Sequence, residues 1–263
     1  MNTYSHSQEK LKKIALSCAK KIEEAQEGVE YFEEPFKHIV IDNFFPEELA
    51  ELCLANFPGL DQPEWEHANE KDIEIKYRTT WQSEFDIPEG IIDATRILNS
   101  APVLKAISSR VSISKLVPDA YYTGGGLNVT MPGGLLDVHV DGNYHDATGL
   151  NRRMNALVYF NKNWQPGWGG EFGAYDEKGE TCLKKVAPLF NRLVIFDSHD
   201  YSFHGLPDPI NFPPGESRKS LLLYYYTLEP RPKSQIAVRE PHSALWVKRG
   251  LHDKRGNKTR EFT

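Results

Sequence analysis

From about residue 120 onward, short apolar, aromatic and β-branched runs alternate with Gly, Pro, Asn and Asp. "LNVTM", "LLDVHV", "MNALVYF", "EFGAY", "RLVIF" and "RKSLLLYYYT" are separated by "PGG", "DGNYHDATG" and "NKNWQPGWGG". Long helices do not tolerate such frequent turn signals, and many short strands with them indicate a sandwich or barrel. Upstream the pattern is helical. Residues 5–27 place Leu11, Ile14, Ala15, Cys18 and Ile22 at helical spacing with charges elsewhere. "FKHIVIDNFF" is strand-like, and "PEELAELCLANF" opens with Pro46 at a helix start. A further helix is expected over about 89–109, broken at Pro102. Residues 60–80 are polar, lack periodicity and read as a loop. The expected class is α+β, mainly β, in one domain over 1–263. Helical support with a leading strand occupies 1–114, the β core 115–230 and a basic C-terminal tail 231–263.

Composition narrows the partners. The net charge is −6, which argues against a nucleic-acid partner. The balance is uneven: residues 231–263 carry nine Lys/Arg against three Asp/Glu, leaving the first 230 residues at −12 by difference. Such a tail is expected to be a solvated surface segment, with an acidic partner as the alternative. Three widely spaced cysteines, Cys18, Cys53 and Cys182, suit a reducing compartment and are expected to be inert. The start "MNTYSHSQEKLKK" has no apolar leader, and no apolar run reaches the roughly 20 residues of a membrane span. A cytoplasmic protein without a membrane partner is expected; the sequence does not specify its oligomeric state.

The stretch "LLDVHVDGNYHD", Leu135 to Asp146, concentrates the polar chemistry. Side chains alternate across a strand, so Asp137, His139 and Asp141 share one face. An imidazole and a carboxylate spaced i and i+2 can bind one metal ion from one strand, and His-x-Asp occurs only once in the chain. Downstream, "RLVIFDSHDYSFHGLPDP" supplies His199 and His204 after a strand. "RKSLLLYYYT" then places Arg218, Ser220, Leu222, Tyr224 and Tyr226 on one face. A guanidinium pointing into a β core is costly unless it meets an anion, and a carboxylate suits it bidentately. Two histidines and one carboxylate form the facial triad of non-haem Fe(II) oxygenases, with positions left open for a keto acid and O₂. His145 and Asp146 read as solvated loop residues, and Asp137 as a structural hydrogen-bonding group. Trp164, Trp168 and the tyrosine run 224–226 read as core and rim packing.

The order His139-x-Asp141, His204, Arg218-x-Ser220 resembles the Fe(II)/2-oxoglutarate-dependent dioxygenases, within them the prolyl 4-hydroxylase-like group. "GGGLNVTMPGGLLDVHVD", "RRMNALVYFNKNW", "WGGEF", "APLFNRLVIFD" and "FHGLPDP" are similar to the segments around the site in that group. The resemblance covers about residues 115–230 and, more loosely, "HIVIDNFFPEELAELC". It implies a double-stranded β-helix (jelly-roll, cupin-like) core, with His139, Asp141 and His204 as iron ligands. Arg218 would pair with the distal carboxylate of 2-oxoglutarate, assisted by Ser220 and by the hydroxyl of Tyr159. His204, rather than His199, fits the ligand spacing ahead of Arg218. A tyrosine common before His-x-Asp is absent; Asn128 or Met131 stands nearest, and Asn128 is the candidate for cofactor or substrate contact.

The implied cofactors are Fe(II), 2-oxoglutarate as co-substrate and O₂, with ascorbate as an optional reductant. The implied reaction is hydroxylation of an unactivated C–H bond, with release of succinate and CO₂. The substrate would be an amino-acid-like small molecule or a peptidyl residue, prolyl included. Loops 60–88, 143–152 and 162–170 would decide which, and they carry no readable code. Alternatives left open are desaturation or cyclisation by the same cofactors, a non-catalytic metal- or ligand-binding jelly roll, and a peptide-binding module with a degenerate site.

Overall fold

In the computed structural model, which describes residues 6–24 and 27–257, the helical first half and the turn-punctuated second half meet across one large sheet. Helix α1 (Gln8–Glu23) is capped by Ser7, whose hydroxyl accepts the Lys10 amide, and it buries the expected stripe from Leu11 to Ile22. Residues 5, 25 and 26 of the expected span lie outside the described residues. Helix α2 (Glu47–Ala55) starts after Pro46 with two acids in its first turn, which suits the positive end of the helix dipole. The expected third helix divides into α3 (Ile91–Leu98) and α4 (Ala101–Val111). The break falls at Asn99–Ser100, because Pro102 is accommodated in the first turn of α4, where its missing N–H is not needed.

The strands are β1 (Val29–Phe32), β2 (His38–Ile41), β3 (Trp65–Glu70), β4 (Glu74–Thr79), β5 (Val117–Pro118), β6 (Gly126–Thr130), β7 (Leu135–Leu136) and β8 (His139–Val140). They continue with β9 (Asn151–Tyr159), β10 (Phe172–Tyr175), β11 (Cys182–Val186), β12 (Leu193–Asp197), β13 (His204–Gly205), β14 (Arg218–Thr227) and β15 (Leu245–Trp246). The larger sheet runs β1-β2-β12-β9-β14-β6-β4-β3, with β5 on β14 and β7 on β4; the smaller runs β11-β10-β13-β8-β15. Every pairing among the described strands is antiparallel. Strand alternation sorts the core into layers. Leu193 and Ile195 of β12, with Met154, Ala156 and Val158 of β9, pack against the helices. Val194 and Phe196, with Leu157 and Tyr159, turn the other way onto Phe172, Ala174 and Val186 of the smaller sheet. The polar chemistry lies between the two sheets.

Two expectations are corrected. The segment expected to be a loop over 60–80 contains the β3–β4 hairpin, which pairs Trp65 with Thr79 through Glu70 with Glu74. It is held by cross-strand pairs, Arg78 to Glu66 at 2.9 Å and His67 stacked on Tyr77 at 4.3 Å, and β4 alternates Glu74, Lys76 and Arg78 with Ile75, Tyr77 and Thr79, a short strand period inside a polar stretch. The basic tail is also not a solvated segment over its described part. Arg231 and His242 are buried against Asp200, and Leu245–Trp246 is a strand of the smaller sheet.

Candidate active site

Strands β8 and β13 lie side by side with His139 directly opposite His204, and their rings are 4.4 Å apart between centroids. Asp141 follows one residue after β8. Its carboxylate oxygens lie 3.7 Å from Nε2 of His139 and 3.7 Å from Nε2 of His204. The three ligand atoms lie within 4.8 Å of one another. Each histidine uses Nδ1 to donate to a main-chain carbonyl, that of Asp137 at 2.8 Å and that of Ser202 at 2.9 Å. A carbonyl only accepts, so the proton sits on Nδ1 and the Nε2 lone pair faces the common centre. Burial first, then the neighbouring His204, lowers the His139 pKa to about 4, keeping the ring neutral as a metal ligand must be. Burial opposes ionisation of Asp141, but His204, Arg152 and His139, with a 2.5 Å hydrogen bond from Asn155, hold its carboxyl below the usual range. Two imidazoles and one carboxylate converging this way fit Fe(II).

The second element is Arg218 at the start of β14. It is 6 % exposed. Its Nε donates to the Gly170 carbonyl at 2.7 Å and one terminal nitrogen donates to the Tyr159 hydroxyl at 3.2 Å. Among the described residues no carboxylate lies within ion-pair distance of this guanidinium. A buried cation supported only by neutral groups fits an incoming carboxylate. Ser220 faces Tyr159 on β9 and Asn128 on β6 across the sheet. Arg218, Ser220, Asn128 and the triad all line one pocket of about 760 Å³. Met131 is not among the residues lining it.

The other polar residues fall outside the triad. His199 is half-buried beside Phe36 and Tyr201 and accepts the Tyr201 amide; burial lowers its pKa to about 4, yet it does not join the metal cluster. His145 is not a solvated loop residue: it is buried and donates to Asp119 at 3.0 Å, while its other ring nitrogen accepts the Ala147 and Thr148 amides. Asp146 is exposed, at 68 %. Asp137 accepts the Lys248 amide at 3.0 Å, a structural role. Cys18 and Cys53 are buried and their thiols are pushed up to about 12 by burial, so neither forms a thiolate readily.

Arg152 was illegible in the sequence. It lines the pocket 3.6 Å from Asp141 and stacks on Tyr224 at 3.7 Å. Asn155 and Leu157 line the pocket, with Tyr159 on the same strand face, so strict alternation would put Arg153 there. A register shift between β9 and β14 pairs Tyr225 with Met154 but Tyr226 with Arg152, and this bulge turns Arg152 inward instead. Lys76 and Arg78 of the hairpin and Trp246 and Lys254 of the tail also line the pocket.

This constellation suits one class of site: a mononuclear metal centre held by two histidines and a carboxylate, beside a buried arginine. Residues 125–226, which contain the triad and Arg218, match the family model of the 2OG-Fe(II) oxygenase superfamily. The matched segment spans 102 of the 263 residues, and together with the triad it supports a 2-oxoglutarate-dependent dioxygenase that uses Fe(II) and 2-oxoglutarate. Its fold is similar to that of solved prolyl hydroxylases. The Trichoplax adhaerens enzyme, solved with a hypoxia-inducible-factor oxygen degradation domain peptide fragment, is 16 % identical at a TM-score of 0.53 over 84 % of this chain and 94 % of that one. A Pseudomonas putida prolyl-4-hydroxylase is 18 % identical at 0.53 over 83 % and 100 %. A Phytophthora capsici prolyl 4-hydroxylase is 17 % identical at 0.54 over 92 % and 72 %. No curated protein sequence matches the chain. No helix among the described residues is long and apolar enough to cross a membrane.

Proposed function

We propose that the protein hydroxylates an unactivated C–H bond of an amino-acid-like small molecule or of a peptidyl residue, with release of succinate and CO₂. The observation that carries this reading is the pairing, in one pocket, of three converging ligand atoms with a buried guanidinium that meets no counter-anion among the described residues. The two facing sheets form the double-stranded β-helix of a single domain, and the N-terminal helices back the larger sheet.

Bound at the triad, iron with 2-oxoglutarate and O₂ supplies the oxidising power for the C–H step. The chain's residues position and shield it. His139 and His204 offer Nε2 because Asp137 and Ser202 hold their Nδ1 protons. Asn155 and Arg152 keep Asp141 ionised. Arg218 receives the far carboxylate of the co-substrate, with Tyr159 and Ser220 beside it and Asn128 across the strand. Arg152, Tyr224 and the hairpin side chains Lys76 and Arg78 line the remaining space, where substrate enters.

The test is the visible spectrum of the Fe(II)-loaded protein titrated with 2-oxoglutarate without oxygen. A metal-to-ligand charge-transfer band is expected. It should vanish in His139→Ala and require far more 2-oxoglutarate in Arg218→Ala. Absence of a band in folded wild-type protein would leave a non-catalytic binding role. Product mass then separates hydroxylation, a gain of one oxygen, from desaturation, a loss of two hydrogens.

A further inference from the structure

The described tail residues braid around one metal ligand. Strand β8, which carries His139, is two residues long, and on one side its partner β13 is equally short. On the other side Trp246 of β15 stands directly opposite His139, its ring stacked on the imidazole at 4.5 Å and 25°. The Val247 amide donates to the Val138 carbonyl at 2.9 Å. The Lys248 amide donates to the carboxylate of Asp137, the residue whose carbonyl holds the His139 Nδ1 proton. Without β15, β8 would be an unprotected edge of the smaller sheet.

The tail is in turn fastened to the β3–β4 hairpin. Arg249 bridges Asp72 at 2.7 Å and Glu70 at 2.8 Å, and Lys254 pairs with Glu74, which is buried. Part of the chain's charge asymmetry thus has a local use: two basic tail residues pair with the acids Glu70, Asp72 and Glu74 around the hairpin turn at the pocket rim. Trp246 leaves its buried Nε1–H without a hydrogen-bond partner among the described residues. Tolerating that cost is consistent with selection of the ring for its stacking.

We propose that the C-terminal segment is a brace for the iron site: Trp246 is a positioning residue that holds His139 in its metal-binding pose, and Arg249 with Lys254 latches the brace to the hairpin. The inference rests on the metal-site reading above, and concerns how this chain secures one of its own ligands. Removing a group that orients a ligand histidine costs about ten- to a hundredfold in metal affinity. The latch is partly exposed, Arg249 at 23 % and Asp72 at 51 %, so it weakens with salt.

The experiment is anaerobic Fe(II) titration of the full chain, with thermal melting of the metal-free protein as the folding control. Wild type is compared with Trp246→Leu, Trp246→Phe and Arg249→Gln, from about 0.01 M to about 1 M salt, over which the screening length falls from ~30 to ~3 Å. Trp246→Leu, which keeps apolar bulk without a ring, should lose about ten- to a hundredfold in iron affinity, and Trp246→Phe should restore most of it. The 2-oxoglutarate concentration that half-saturates the charge-transfer band at full iron loading should not move, because Arg218 lies on the other sheet. Arg249→Gln should bind iron more weakly at low salt and show a flatter salt dependence than wild type. Folded Trp246→Leu with wild-type iron affinity overturns the positioning role, and an unchanged salt slope in Arg249→Gln overturns the latch. Wild-type protein that binds no iron overturns the site reading itself, and the brace with it.

Discussion

Replacing Arg218 with methionine should separate the stability of the protein from its response to 2-oxoglutarate. In the metal-free protein the substitution leaves the Gly170 carbonyl and Tyr159 hydroxyl without their donor. An unsatisfied buried polar group costs about 1–3 kcal/mol. It also removes a 6 %-exposed cation that has no counter-anion among the described residues, and the effective penalty for burying such an ion is several kcal/mol. The terms oppose, so the net change in unfolding free energy should lie within about 2 kcal/mol of wild type. The ligand response has no such cancellation. A ligand at a hundred times its dissociation constant stabilises the folded state by about 2.7 kcal/mol. For a chain of this size 1 kcal/mol shifts the midpoint by roughly 2–4 °C, so 2-oxoglutarate should raise the wild-type melting temperature by about 5–10 °C. Loss of one partner of a buried charge pair costs about 2–5 kcal/mol, which raises the Arg218→Met dissociation constant about thirtyfold or more and cuts the shift to about a third or less. The assay is thermal denaturation of the Fe(II)-loaded proteins without oxygen, with and without 2-oxoglutarate. A full ligand-induced shift in Arg218→Met would refute the argument that this guanidinium awaits the co-substrate carboxylate.

His199→Ala should retain Fe(II) binding within a few-fold, whereas His204→Ala should lose it, as measured by anaerobic iron titration; the reverse pattern would reassign the third ligand. Asn155→Ala removes the 2.5 Å hydrogen bond to Asp141 and should weaken iron binding by about ten- to a hundredfold, and intact affinity would show that Asn155 is dispensable for orienting the ligand. Asp200 is opposed by burial, but the His242 hydrogen bond and the Val238 and Ala237 amides lower its pKa to about 2. A depressed carboxylate contributes stability above its unfolded value, lost as pH falls through the folded one. The metal-free protein should therefore lose about 2 kcal/mol from this group between roughly pH 4 and pH 2. Urea denaturation across that window should show a smaller loss in Asp200→Asn, and an identical loss would remove Asp200 as its source.

What the sequence made legible follows from which interactions are local. The triad could be read because two of its members share a strand face two residues apart, and because Arg218 begins a run whose β character is unambiguous. The helices could be read because their apolar stripes and the position of Pro102 are properties of single segments. The hairpin over 65–79 was legible only in half: β4 alternates Glu74, Lys76 and Arg78 with Ile75, Tyr77 and Thr79, but its partner β3, Trp65–Glu70, carries no such period, so the pairing shows only when the two strands lie side by side. Arg152 was hidden by a bulge defined only by the register between β9 and β14, which no single strand encodes. The tail was misread for a related reason. Nine basic residues in a terminal stretch have the composition of a solvated segment, and only distant acids make some of them structural: Asp200 for Arg231, Glu70 and Asp72 for Arg249, and Glu74 for Lys254. In each case the missing information is a pairing across many residues of chain. These pairings supply the pocket walls while the ligands come from local motifs, so the reaction class can be read from sequence where the substrate cannot.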